Sequence, residues 1–186
     1  MDFSKHTCYY NGLIHTWDNV FPFEDYKSIG DEVFALNYNY GIVDEHGKPP
    51  TGLIGKFDKN SMIFDRIINF VKDTKLVEQE LTSWYVNYFA PMEKALMHKD
   101  GTAWTCLYYI NDKYTADDEG ETKFFFDKGN LSGIEQNNSS ELPVILSIAP
   151  IPNRIVLFQG NILHSATAFR NKPRFTVAFR FGDIYD

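Results

Sequence analysis

The sequence predicts an α+β fold: a two-sheet roll or sandwich with its N-terminal helices packed on one outer face. Helical apolar spacing is confined to the first 75 residues, whereas from residue 81 onward short strand-like runs alternate with turn signals. Helices first and strands afterwards argue against a doubly wound α/β sheet, in which the two would alternate. Hydrophobic residues make up 44% of the chain and aromatics 16%, enough for a globular core. The aromatics gather in runs such as 84–89 and 124–126, which favour strands. At 186 residues the chain is expected to be one domain spanning 1–186, with a helical buttress and lid in 1–80 and the β core in 81–186.

The elements follow in order. An opening strand is expected around Leu13-Ile14. Pro22, with Glu24 and Asp25 in the first turn, starts a helix that runs to about Leu36 and aligns Tyr26, Ile29, Val33 and Phe34 on one face. Asn37–Asn60 is broken up by Gly41, Gly47, Pro49, Pro50, Gly52 and Gly55 and is read as a candidate lid. Ser61 caps a second helix to Lys75, whose apolar positions are Met62, Ile63, Ile67, Phe70 and Val71. Strands are expected at Leu81–Phe89, Ala95–Asp100, Thr105–Asn111, Thr122–Phe126, Val144–Ala149, Arg154–Phe158 and Arg174–Phe181. The polar stretch Asp127–Glu141 reads as an exposed loop and as a second candidate for the lid.

Several function classes are disfavoured. No apolar run approaches the roughly 20 residues of a membrane helix, and the N-terminus lacks the basic start and apolar core of a signal peptide. A cytoplasmic protein without membrane contact is therefore expected. Cys8 and Cys106 cannot make a disulfide framework or a thiolate cage. The net charge of −7, with acids crowded into 112–121, makes nucleic acid an unlikely partner.

Chemistry concentrates in the second half. In an extended strand His98 and Asp100 point the same way, presenting an imidazole and a carboxylate to one point. His164 is the best candidate for a second imidazole. Two histidines and one carboxylate on one face leave three metal positions open, an arrangement associated with non-haem Fe(II) oxygenases. Along the last strand Arg174, Thr176, Ala178 and Arg180 share a face. An inward arginine there requires an anion, and its planar fork suits a carboxylate, with Thr176 able to donate a further hydrogen bond. Arg170 and Lys172 are rivals for that role. Arg180 is either a substrate contact or a charge at the strand end. Trp84 is a pocket or core residue, and His6, His15 and His46 have no acidic partner two residues on.

These pieces, from Trp84 to Phe181, resemble the Fe(II)- and 2-oxoglutarate-dependent dioxygenases, specifically the prolyl-4-hydroxylase-like branch. The resemblance rests on His98-x-Asp100, Thr105-Cys106-Leu107-Tyr108-Tyr109-Ile110-Asn111, Glu119-Gly120-Glu121-Thr122, Pro152-Asn153-Arg154 with the strand that follows, His164 and Arg174. It implies a double-stranded β-helix (jelly-roll) core. It also implies iron held by His98, Asp100 and His164, and the distal carboxylate of 2-oxoglutarate gripped by Arg174. Tyr109 matches a tyrosine that hydrogen-bonds that carboxylate, and Tyr88 matches a second pocket tyrosine. Fe(II), 2-oxoglutarate and O2 would be needed, with ascorbate as a reductant. The implied reaction hydroxylates an unactivated C–H bond, in a prolyl residue of a peptide or protein, while 2-oxoglutarate becomes succinate and CO2. The alternatives are the same chemistry on a free amino acid or other small metabolite, and, more remotely, a cupin-type metal protein without oxygenase activity. The chain departs from the family at Glu119-Gly120, where two glycines are usual, and at Asn153, where a glycine is.

Overall fold

The computed structural model describes residues 5–40, 52–93, 96–126 and 142–183. The elements are β1 (His6–Tyr9), β2 (Ile14–Trp17), α1 (Phe23–Phe34), β3 (Tyr38–Asn39), β4 (Leu53–Gly55), α2 (Met62–Thr74), β5 (Leu81–Phe89), β6 (Thr102–Tyr109), β7 (Thr122–Phe125), β8 (Val144–Ile148), β9 (Arg154–Gln159), β10 (His164–Ala166) and β11 (Arg174–Asp183). Helix α1 begins directly after Pro22, with Glu24 and Asp25 in its first turn, and buries Ile29 and Val33. In α2 the Ser61 side chain accepts from the Phe64 amide, satisfying one of the free N–H groups at the helix start. Glu32 of α1 accepts from the amides of Met62 and Ile63 at 3.2 and 3.1 Å, so the first helix caps the second. No helix among the described residues is long and apolar enough to cross a membrane.

The strands form an eight-stranded sheet in the order β1-β2-β9-β6-β11-β5-β4-β3 and a three-stranded sheet in the order β10-β7-β8. The described ladders are antiparallel. One face of the large sheet carries Val86, Cys106, Tyr108, Ile155, Leu157, Val177 and Phe179 and packs under the helices. The other carries Leu107, Tyr109, Val156, Phe158 and Ala178 and packs against Phe124 and Ile148 of the small sheet. Helix layer, large sheet and small sheet make the expected two-sheet roll with helices on one outer face.

The structure corrects four local expectations. The opening strand is a hairpin, β1–β2, joined at β2 to β9. The described ends of Asn37–Asn60 are strands, β3 pairing β4 and β4 pairing β5, so this part extends the sheet edge; residues 41–51 lie outside the described residues. His98 to Asp100 is not part of a ladder. His98 makes one isolated bridge with His164, and Gly101, at φ +66, turns the chain into β6. The third short strand of the small sheet, β10, begins at His164, where no strand was expected. Asp127–Glu141 lies outside the described residues.

Asn153 stands left-handed at φ +61, a conformation Asn tolerates better than most residues. Its side chain accepts from the Phe21 amide and the Tyr108 hydroxyl and donates to the Phe21 carbonyl, tying the start of α1 to β9. Asn153→Ala should destabilise by roughly 3 kcal/mol, since three buried polar groups lose their partner. Asn153→Gly, free of backbone strain, should cost less than Ala. Urea unfolding of both variants checks the order; equal stability of wild type and Ala would contradict it.

Candidate active site

Two segments, the one carrying His98 and Asp100 and the one opening β10 at His164, bring the candidate metal ligands together. The isolated bridge, with amide-to-carbonyl bonds of 2.9 and 3.0 Å in both directions, sets His98 beside His164. The Asp100 amide donates to the Gly160 carbonyl at 2.8 Å. A Cβ on Gly160 would lie 2.5 Å from the Thr102 carbonyl oxygen, so only glycine lets these backbones meet so closely. The result is a cluster in which one donor atom each from His98, Asp100 and His164 lies within 4.8 Å of the others. His98 Nε2 is 3.4 Å from Asp100 Oδ1, and His164 Nε2 is 3.6 Å from Asp100 Oδ2.

Both imidazoles are set by the same device. Nδ1–H of His98 donates to the Leu96 carbonyl at 2.9 Å, and that of His164 to the Ile162 carbonyl at 2.8 Å. Each Nε2 therefore faces the carboxylate and, on a neutral ring, is the nitrogen left for a metal, as in protein metal sites where a carbonyl fixes the tautomer of the ligand. Burial pushes the His164 pKa down to about 4, outweighing the attraction of Asp100, so this ring is neutral and ready to ligate at neutral pH. Burial also works to lower His98, but its hydrogen bond to Asp100 and the carboxylate charge raise it. Burial alone would raise Asp100; His164, His98 and Arg180 together hold it below the usual carboxylate range. Thr105 Oγ1–H donates to its Oδ2 at 2.6 Å and Arg180 Nη2 to its Oδ1 at 2.5 Å. Thr105 and Arg180 are directly paired across β6 and β11, so one ladder position supplies both supports.

A second group lies further along the same face of β11. Arg174 is 2% exposed, and its Nε and Nη2 donate to the Gly120 carbonyl and to Thr122 Oγ1, both at 3.0 Å. Its guanidinium lies 5.4 Å from the Tyr109 ring centroid, and the Tyr109 hydroxyl meets Thr122 Oγ1 at 2.7 Å. Among the described residues Arg174 pairs with no carboxylate. Thr176 stands between Asn87 on β5 and Tyr109 on β6 in the ladder, so the three share this face. Among the described residues Thr176 Oγ1 and Asn87 Oδ1 are buried without a hydrogen-bond partner. A buried guanidinium without an anion, beside two unpartnered polar atoms, fits a bound carboxylate. The donor set of two imidazoles and a carboxylate likewise fits a divalent iron with positions to spare.

The structure thus brings His98, Asp100 and His164 together, and separately Arg174, Tyr109 and Thr176. Tyr88 is a correction. It pairs with Phe175, whose side chain is on the helix side, and its ring lies 5.1 Å from that of Phe175 and 5.6 Å from that of Tyr38. The site face at this end of β5 belongs to its neighbour Phe89, which pairs with Arg174. Trp84 also turns toward the helices, donating to the Phe57 carbonyl. The rivals of Arg174 are engaged elsewhere, Arg170 with Glu119 and Lys172 with Asp118. Glu119 takes the glycine-like φ +60, and at Gly120 (φ +86) a Cβ would run into the Phe169 ring at 2.3 Å. Thr105, Thr122 and Asn87 escaped the sequence reading, and the strand pairings are what reveal the first and last.

No known family profile and no curated protein matches the sequence. Solved structures do match in fold. A prolyl hydroxylase from Trichoplax adhaerens, in complex with a hypoxia inducible factor oxygen degradation domain peptide, superposes with TM-score 0.69 at 14% identity, covering 92% of this chain and 84% of that one. A prolyl-4-hydroxylase from Pseudomonas putida gives 0.67 at 13%, covering 92% of both chains. HygX from Streptomyces hygroscopicus, bound to nickel, 2-oxoglutarate and hygromycin B, gives 0.68 at 14%, covering 98% and 85%. The chain therefore has the fold of prolyl hydroxylases and other 2-oxoglutarate-Fe(II) oxygenases.

If Thr105 orients Asp100 for a metal, Thr105→Val should weaken Fe(II) binding about tenfold or more, and Thr105→Ser should restore it. Anaerobic titration calorimetry checks this; an unchanged affinity in the Val variant would contradict the role.

Proposed function

We propose that this protein is a non-haem Fe(II)- and 2-oxoglutarate-dependent dioxygenase that hydroxylates an unactivated C–H bond. The observation that supports it best is the pairing of two environments on one sheet face: the His98/Asp100/His164 cluster, and the buried Arg174, which pairs with no carboxylate among the described residues. His98, Asp100 and His164 would hold the iron. Arg174 and Thr176 would receive the distal carboxylate of 2-oxoglutarate, with Tyr109 lining that end. Iron and 2-oxoglutarate together supply the oxidising power: O2 is consumed, 2-oxoglutarate leaves as succinate and CO2, and one oxygen atom enters the substrate.

The protein's share is binding and orientation. Carbonyl anchors hold both imidazoles in the ligating tautomer, and Thr105 and Arg180 prevent Asp100 from turning away. Burial excludes water from the Arg174 end, which strengthens its grip on a carboxylate. Within this reading a prolyl residue in a peptide is the first choice of substrate, by likeness to the two prolyl hydroxylases. A small molecule is the second, favoured by the equal likeness to HygX, which binds hygromycin B.

With Fe(II), ascorbate and 2-oxoglutarate the purified protein should release succinate slowly without any substrate. Proline-containing peptides should accelerate it under the first substrate reading, small metabolites under the second. Arg174→Ala should keep its iron but raise the KM for 2-oxoglutarate roughly 100-fold, because it removes one partner of a buried charge pair. Iron binding with no succinate from wild type would overturn the oxygenase reading and favour a cupin-type metal protein. An Arg174→Ala variant with unchanged KM would overturn the clamp.

A further inference from the structure

A second pair of histidines, far from the iron ligands in sequence, has the same internal construction. In the β1–β2 hairpin His6 pairs with Trp17 and Cys8 with His15, so all four side chains share one face. That face continues the helix side of the large sheet, where Trp17 packs edge-on against Phe70 of α2 and His15 lies beside Trp104. It is therefore the opposite side of the sheet from the iron cluster. His15 is buried, and its Nε2–H donates to the Gly12 carbonyl at 2.9 Å, which leaves a lone pair on Nδ1. That lone pair faces His6 Nε2 at 3.0 Å. His6 is exposed yet held in place, its ring stacked on Trp17 at 4.6 Å and on His15 at 5.2 Å.

We infer that His6 Nε2, His15 Nδ1 and the thiolate of Cys8 form a second metal site, for a zinc-class divalent transition ion. Two nitrogens bound to one zinc at about 2.0–2.1 Å each, at a tetrahedral angle, lie about 3.3 Å apart. The observed 3.0 Å is within a few tenths of an ångström of that span. The carbonyl-anchored ring follows the rule seen at His98 and His164, in which the non-ligating nitrogen is tied to the backbone. Cys8 is exposed and directly opposite His15 on the paired strand, but its sulfur does not lie within 4.8 Å of both ring nitrogens, so ligation requires the exposed thiol to turn toward the pair for a metal–sulfur bond of about 2.3 Å. Two nitrogens and a sulfur select a borderline or soft ion, unlike the nitrogen and oxygen set of the iron cluster. Burial lowers the pKa of His15, favouring the neutral ring that a metal requires. The exposed edge at His6 gives the ion its way in.

Anaerobic titration with Co(II) alone, a spectroscopic stand-in for zinc, tests the assignment. Wild type should take up two equivalents, one of them with near-ultraviolet thiolate-to-cobalt absorption and quenching of Trp17 fluorescence. His6→Ala and Cys8→Ser, both at exposed positions and so expected to fold, should take up one equivalent and lose the thiolate absorption. His98→Ala should also take up one equivalent but keep that absorption, which separates this site from the iron cluster. Wild type without the thiolate absorption, or two equivalents retained in both His6→Ala and Cys8→Ser, would overturn the proposal and leave the histidine pair as a hydrogen-bonded clasp of the hairpin.

Discussion

Side chains alternate along a strand, and the central strand β11 uses that alternation to give the large sheet two unlike faces. Phe175, Val177, Phe179 and Phe181 point into the helix-side core, where each buried apolar side chain stabilises by about 1.5–3 kcal/mol. Arg174, Thr176 and Arg180 consequently face the small sheet. A slip of one residue would exchange the two sets, putting phenylalanines in the site and guanidinium groups beneath the helices. The apolar side thus enforces the placement of the polar side. Pairing to β5 and β6 then adds Asn87, Tyr109 and Thr105 at fixed ladder positions.

Asp100 is where this arrangement meets the rest of the chain. Its side chain is 2% exposed, and it gathers His98, His164, Thr105 and Arg180 around a single carboxylate. Burying an ion is unfavourable unless its hydrogen-bonding capacity is filled, so Asp100 needs all of these partners. Arg174 is the contrasting case: its bonds go to a carbonyl and a hydroxyl, neither of which carries charge. Among the described residues one buried ion is paired with charged partners and the other is not, which is why, in the proposed function, the first is assigned to a metal cluster and the second to a ligand carboxylate.

Much of this was legible in the residues. Helix α2 announced itself by Ser61 and its apolar spacing, and the alternation of β11 separated Arg174 from Phe175 without any coordinates. On β5 it was the family resemblance that misled, by matching Tyr88 to a pocket tyrosine. The strand's actual register turns Tyr88 to the helices and offers Phe89 to the site, and register depends on partners that a single strand does not reveal. His98 and Asp100 converge even though they are not in a ladder. The isolated bridge to His164 and the close approach at Gly160 position them, and both are long-range contacts invisible to local pattern. His6 and His15 escaped notice because their relation runs across a hairpin, not along one strand.

The central claim is that two imidazoles and a carboxylate hold one iron with room beside them for a chelating 2-oxo acid. Its most direct test is the visible spectrum of the Fe(II)-loaded protein, titrated with 2-oxoglutarate in the absence of oxygen. The account predicts a charge-transfer absorption that grows to saturation at one equivalent per chain. Iron that stays bound while 2-oxoglutarate produces no such absorption would contradict it.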